Sequence, residues 1–433
     1  MKETPAREES ILEITPARVE GEIRIPGSKS LTNRALIIAA LAQGESVING
    51  ALFSEDTEYM SSALRELGFS VQELPKENRF IVNGQGSRIP ARNATLFVGN
   101  SGTAMRFLTA FATLGKGSFE LDGVERMRQR PIQPLLDCLT RLGADARSTS
   151  GNGCPPVAVE ANGLKGGRAA MRGDLSSQYF TAVLLSAPYA QRDVEIIVEG
   201  KLVSKPYVDM TIRLMKRFGV DVVCNDHKSF TIKAGQRYRA MTYEVEGDAS
   251  SASYFLAAAA ITGGRVRVCG IPRDSLQGDA HFADILRQMG ANVQRGDDWI
   301  EVEGGPKLRG IDINLEDCPD LAQTIAAIAV FADGKTRVSG VANLRIKETD
   351  RIHAVVEELR RIGISATEHH DGFEVEPGKP KPAVIEPYDD HRMAMSFSLV
   401  GLRAKGIKIK NPQCVAKTFP DYFDELKKLC RAV

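Results

Sequence analysis

Thiol and imidazole ligands are scarce in these 433 residues. The seven cysteines are scattered and odd in number, with no Cys-x-x-Cys pair, which argues against a disulfide framework or a zinc site. Of the six histidines, His369 and His370 sit in a polar Glu-His-His-Asp-Gly turn that reads as solvated, so no metal is expected. No His-Glu-x-x-His, Walker P-loop or dinucleotide glycine fingerprint occurs, and no cofactor is expected either. The longest apolar runs, such as 321–332, are too short to span a bilayer. Charge of one sign is missing too: 56 Lys+Arg against 55 Asp+Glu leave +1, with no basic block interleaved with aromatics. This excludes a general polyanion binder, so neither nucleic acid nor membrane is an expected partner, and any positive charge must act locally. Residues 1–10 are charged and lack the apolar core of a secretory signal, giving a cytoplasmic expectation.

What is present is repetition. A hydrophobic content of 43% is ample for buried cores, and the length allows about two to four domains. A glycine or charged turn follows an apolar segment at Gly44, Gly117, Arg192, Gly264, Gly334 and Gly406, at successive differences of 73, 75, 72, 70 and 72 residues. Five amphipathic segments end in an apolar-Gly pair, at Gly68, Gly143, Gly219, Gly290 and Gly363, the usual helix C-terminal signal. The period is too long for a solenoid, so the chain reads as six α/β modules, grouped three and three, with 233–246 as the candidate crossing.

Each module opens an apolar helix with a polar start. The fullest is Gly99-Asn100-Ser101-Gly102-Thr103-Ala104-Met105-Arg106, where glycines admit close approach and hydroxyls cap. The others read Gly27-Ser28-Lys29-Ser30, Asp174-Leu175-Ser176-Ser177-Gln178, Asp248-Ala249-Ser250-Ser251, Pro319-Asp320 and Asp389-Asp390-His391-Arg392. Helices apolar on most faces are buried, and if pseudo-symmetry brings their N-termini together, the starts form an anion site. For Asp248, Ser250 and Ser251 simple capping explains the residues as well. Lys29, Arg34, Arg106 and Arg392 are cations in or near first turns, the wrong sign for the helix dipole unless an anion binds there.

Charged loops before the second helices repeat the theme, at 125–130, 201–205, 343–351 and 414–417. Glu348 and Asp350 could be ordinary helix-start acids; Lys347 and Arg351 could not. Many cations, a few serines and a few carboxylates, without a nucleotide or metal motif, indicate acid–base chemistry on small anions carrying phosphate and carboxylate.

Nine motifs then appear in order: Pro-Gly-Ser-Lys-Ser (26–30), the 99–106 segment, Arg-Pro-Ile (130–132), Ser-Ser-Gln (176–178), Lys-Pro-Tyr (205–207), Gly-Asp-Ala-Ser-Ser-Ala (247–252), Lys-Glu-Thr-Asp-Arg (347–351), Asp-His-Arg-Met-Ala (390–394) and Ala-Lys-Thr-Phe-Pro (416–420). From about Ile14 to Leu426 the chain resembles the 5-enolpyruvylshikimate-3-phosphate synthase family, the target of the inhibitor glyphosate. The resemblance implies a monomeric transferase joining phosphoenolpyruvate to the 5-hydroxyl of shikimate 3-phosphate. It implies an α/β fold of two domains, each of three βαβαββ units in an inside-out barrel, comprising 27–246 and 1–26 with 247–433, hinged near 27 and 246. Carried over by motif, Lys29, Ser30, Arg34, Ser176, Ser177, Gln178, Ser204, Tyr207, Asp320, Asn343 and Lys347 would meet shikimate 3-phosphate. Phosphoenolpyruvate would meet Lys29, Asn100, Gly102, Thr103, Arg130, Gln178, Arg351, His391, Arg392 and Lys417. Asp320, Glu348 and Lys29 would be catalytic.

One departure is Phe107, where many members carry Pro or Leu. The related UDP-N-acetylglucosamine enolpyruvyl transferase is the nearest alternative; it usually carries a cysteine in the loop matching 123–130, absent here, and Lys-Asn where this chain has Lys-Ser. A nucleic-acid end-processing protein on similar repeats is more remote.

Overall fold

A segment without a polar face must be enclosed, and six helices meet that requirement here. The computed structural model describes residues 10–432, so the N-terminal stretch read against a secretory signal lies almost wholly outside the described residues. In chain order the helices are α1 (Lys29–Leu41), α2 (Glu55–Glu66), α3 (Gly102–Ala112), α4 (Gln133–Arg141), α5 (Ser177–Ser186), α6 (Lys205–Arg217), α7 (Ala249–Thr262), α8 (Phe282–Gln288), α9 (Ala322–Ala329), α10 (Arg351–Arg361), α11 (His391–Gly401) and α12 (Tyr422–Leu429). The odd-numbered members, α1 to α11, are the apolar ones: α3 is buried along its whole length, and α1 from Leu31 onward. None of the described helices is long and apolar enough to cross a membrane.

The amphipathic helices α2, α4, α6, α8 and α10 stop at Gly68, Gly143, Gly219, Gly290 and Gly363, all with positive φ between 79° and 105°. That is the left-handed conformation in which glycine ends a helix without a Cβ penalty.

Each helix pair is threaded through a small sheet. Strands Asn93–Phe97 and Lys116–Asp122 run parallel across α3, and Val157–Asn162 and Asp145–Ser148 extend the sheet antiparallel, giving the strand order one, two, four, three. A parallel pair needs a crossover, which the buried helix supplies. The same order recurs in the sheets around Val194–Glu199 and Thr336–Ser339.

Two sheets borrow their first strand from far along the chain. Thr242–Glu244 pairs with Gln43–Asn49, and Gly21–Arg24 pairs with Arg265–Cys269. A sixth sheet, of Ala383–Ile385 and Ile407–Lys410, is completed antiparallel by Ile11–Glu13.

The buried apolar side chains fall into two clusters. One gathers residues from Leu31 to Tyr243 with Leu276, the other Ile14 to Ile25 and Ala249 to Leu429. The chain passes between them twice, and at the two passages Gly27 and Gly247 form an isolated antiparallel bridge. A Cβ on Gly27 would lie 1.9 Å from the Gly50 carbonyl oxygen, so only glycine fits this crossing.

Candidate active site

Four of the buried helices are capped by their own polar starts: Ser101 accepts from the Ala104 N–H (3.3 Å), Ser176 from Gln178 (3.2 Å), Asp248 from Ser251 (2.8 Å) and Asp390 from Arg392 (2.9 Å). Capping satisfies only some of the free N–H groups in a first turn. All six helix starts open on one cavity, lined by Lys29, Ser30 and Arg34 from α1, Gly102 and Thr103 from α3, Ser177 and Gln178 from α5, Asp248 and Ser251 from α7, Pro319 and Asp320 before α9, and Arg392 from α11. The charged loops add Arg130, Ser204, Tyr207, Lys347, Glu348 and Arg351.

Of the residues expected from the sequence, six stand behind this wall: Ser176, Asn100, Asn343, His391, Arg106 and Lys417. Ser176 is the cap of α5. Asn100 turns its carbonyl to Arg130 Nη1 (2.9 Å) and Lys417 Nζ (3.0 Å). Asn343 Nδ2 backs Ser204 Oγ at 3.4 Å, and Ser204 holds a left-handed φ of 55° just before Lys205-Pro206. His391 is buried with its ring beside Asp390, 3.5 Å away. Arg106, expected to reach solvent or an anion, does neither: it is buried and donates to the carbonyls of Pro131 (2.9 Å) and Gly102 (3.3 Å), so the backbone rather than a ligand offsets its unfavourable place in the helix.

Six lining cations face four lining carboxylates. Arg351 is the hub. Its Nε and Nη2 grip Asp390 (2.6 and 3.2 Å), Nη1 reaches Asp320 (3.0 Å), and Nη2 lies 2.8 Å from Glu348. Arg392 Nη2 holds the other oxygen of Asp320 at 2.8 Å.

Burial pushes the Asp320 carboxyl up, but Arg392, Arg351 and Lys347 together overrule it and hold the group below the usual carboxylate range. Glu348 behaves alike, with Arg351, Arg130 and Lys417 outweighing burial. Lys347 is moved down by burial, and Arg351 adds to the shift against Asp320. Arg34 is pushed down to about 10 by burial; among the described residues no carboxylate pairs with it. Such a cation keeps a charge that an incoming anion can neutralise.

One site residue and two long-range contacts escaped the sequence reading. Asp56 is buried in the first turn of α2, between Lys417 Nζ (2.7 Å) and Lys29 Nζ (3.2 Å). Its neighbours Glu55 and Glu58 make it look like one of three acids favoured at a helix start. Asp248, besides capping α7, accepts the Lys29 backbone N–H at 3.1 Å. Arg126 reaches from one cluster to the other, donating to the carbonyls of Lys347 (3.0 and 3.2 Å) and Arg345 (3.3 Å). Nothing local marks a long-range partner of this kind.

Pooled helix N-termini and surplus cations, set between two α/β halves, define a protein that handles small, doubly charged anions and has carboxylates at hand for proton transfer. Residues 14–426 match the family described as EPSP synthase (3-phosphoshikimate 1-carboxyvinyltransferase). The chain is 50% identical over 405 residues to the 3-phosphoshikimate 1-carboxyvinyltransferase of Nostoc punctiforme, covering 94% of this chain and 95% of that one. It is 49% identical over 411 residues to the namesake from Trichormus variabilis, covering 95% and 96%. A solved EPSP synthase from Acinetobacter baumannii superposes with a TM-score of 0.81 at 28% identity, over 97% of this chain and 98% of that one. The chain belongs to the EPSP synthase family. Its activity is the transfer of the enolpyruvyl group of phosphoenolpyruvate to shikimate 3-phosphate in the shikimate pathway.

Proposed function

We propose that this transfer runs by addition and elimination through a tetrahedral intermediate held between the two halves. The observation that carries the reading is the opening of six helix starts and an excess of cations on one cavity, a fit to two substrates that each bring a phosphate and a carboxylate. Shikimate 3-phosphate is held by Ser30, Arg34, Ser176, Ser177, Ser204, Tyr207, Asn343 and Lys347. Phosphoenolpyruvate is held by Asn100, Gly102, Thr103, Arg130, Arg351, His391, Arg392 and Lys417, and Lys29 and Gln178 touch both.

Asp320 takes the proton of the 5-hydroxyl as that oxygen bonds to C2, while Glu348 and Lys29 deliver a proton to C3. In the second step the same pair removes a proton from C3, the C2–O bond to phosphate breaks, and phosphate leaves. Without substrate, arginines weaken both carboxylates as bases. Bound anions share those arginines, which raises the basicity of Asp320 and Glu348 at the moment it is required.

The halves 27–246 and 1–26 with 247–433 act as two domains of three units in an inside-out barrel, hinged near 27 and 246 and closing to exclude water. Their separate cores support this. The working unit in this reading is a cytoplasmic monomer.

The test is phosphate release with shikimate 3-phosphate and phosphoenolpyruvate, beside a trial with UDP-N-acetylglucosamine. Release with the shikimate substrate alone, reduced about 10²- to 10⁴-fold in Asp320→Ala, supports the mechanism, a range typical of losing a general base. An unimpaired Asp320→Ala removes that residue from proton transfer, and release with UDP-N-acetylglucosamine would overturn the substrate assignment.

A further inference from the structure

Tyr207 lies in the first turn of α6 and faces the cavity, but its hydroxyl is held by the opposite half of the molecule. It donates to Asp279 Oδ2 at 2.9 Å, with Oδ1 at 3.1 Å. Asp279 sits in the short turn Gly278–His281 and is 4% exposed. Its Oδ2 also accepts the hydroxyl of Ser250, in the first turn of α7.

The backbone beside this contact is closely fitted. A Cβ on Gly278 would lie 2.5 Å from Pro206 Cβ and 3.3 Å from Cys318 Sγ, so the turn carries glycine where the start of α6 docks on it. The charged groups around Asp279 are Asp320, which pushes its carboxyl up together with burial, and Arg392, which pushes it down; the net position is about 6. Burying a carboxyl here is costly, and the two hydroxyls offset the cost. A core contact would be served as well by two apolar groups. A carboxylate clamped by Ser250 at one half and offered to a phenol from the other fixes one thing, the direction of the Tyr207 ring.

We infer that Asp279 is a positioning residue for substrate binding: docked against Tyr207 across the cleft, it orients the phenol on the wall that receives shikimate 3-phosphate. The inference rests on the proposed placement of that substrate against Tyr207. Asp279 itself does not line the cavity and acts only through the tyrosine.

The experiment is steady-state kinetics of the full chain with Asp279→Ala, Asp279→Leu, Asp279→Asn, Tyr207→Phe and the Asp279→Ala/Tyr207→Phe double variant, with thermal melts alongside. Leucine fills the site without an acceptor should alanine fail to fold. Asp279→Ala or Asp279→Leu is expected to raise KM for shikimate 3-phosphate about as much as Tyr207→Phe, by fivefold or more, with kcat within about threefold and KM for phosphoenolpyruvate little changed. Asp279→Asn keeps an acceptor oxygen and should restore most of the loss. The double variant should match Tyr207→Phe alone.

If Tyr207→Phe raises KM while the Ala and Leu variants stay at the wild-type value, the inference fails and the placement of Tyr207 stands. Equal, additive factors in the double variant also overturn it, since Asp279 would then act independently of the phenol. An unchanged KM in Tyr207→Phe overturns the placement and the inference together.

Discussion

The guanidinium of Arg34 lies over the face of the Phe107 ring, 5.3 Å from its centroid. Its remaining valences are met by neutral oxygens, Thr211 Oγ1 at 2.8 Å, the Ser30 carbonyl at 2.8 Å and the Tyr207 carbonyl at 3.2 Å. Phe107 thus supplies a flat, electron-rich face to a buried cation that no carboxylate among the described residues neutralises. The ring steadies Arg34 without using up the charge an incoming phosphate needs.

Phe107→Leu keeps the apolar volume and removes the face. A cation–π contact is worth roughly 1 kcal/mol even at an exposed site, so KM for shikimate 3-phosphate should rise about fivefold or more. With Arg34 held by three other bonds, kcat should stay within about twofold. Unchanged KM would show that those bonds suffice.

Gly102→Ala acts on the other substrate. The added Cβ would meet Arg130 Nη2 at 2.5 Å and Arg106 Nη1 at 2.9 Å. Both guanidiniums are held by carbonyls, but the approach to Arg130 is the closer, so Arg130 is displaced more and KM for phosphoenolpyruvate should rise about tenfold or more, with shikimate 3-phosphate less affected. Substrate titrations at saturating partner separate the two.

Asp56→Asn strips Lys417, which is buried, and Lys29, which is partly buried, of their shared counter-charge. Burial raises the Asp56 carboxyl, and Lys29 and Lys417 more than reverse it, leaving the group below its ordinary value. Its stabilisation is therefore present at neutral pH and lost as acid protonates the folded carboxylate. Breaking a buried pair costs about 3 kcal/mol, which urea unfolding at pH 7 should show. The gap between variant and wild type should begin to narrow as pH falls past the unfolded aspartate value of about 3.9 and keep closing toward the lower folded value.

His391 gives a shift of different origin. Burial, then Lys29 and Arg392, hold its imidazole well below the ordinary histidine value, so it is neutral in the folded chain. The unfolded chain takes a proton below about pH 6.5, and stability falls with acidity by up to about 1.4 kcal/mol per pH unit from this group. His391→Asn should flatten the stability profile between pH 6.5 and 5 by that amount; parallel profiles would contradict the assignment of the slope to His391.

Much of this arrangement is written locally. The apolar helices and the glycines that end their amphipathic partners depend on contacts within a turn or two, so local patterning reveals them. First-turn cations were equally visible, because their sign conflicts with the helix dipole. Arg106 shows the limit of that signal: the conflict was real, and a pair of carbonyls resolved it instead of a ligand.

The sequence by itself determined the buried helices and the residue types at their openings, since each follows from propensity, capping and burial over short range. Only the tertiary structure decided that Asp56 faces Lys417, that Asp279 meets Tyr207, and that Phe107 lies under Arg34. Those pairs join residues 361, 72 and 73 positions apart, and burial together makes their charges and ring faces matter. An acid in a first turn looks the same on paper whether it serves a dipole or a distant cation, and packing alone distinguishes the two.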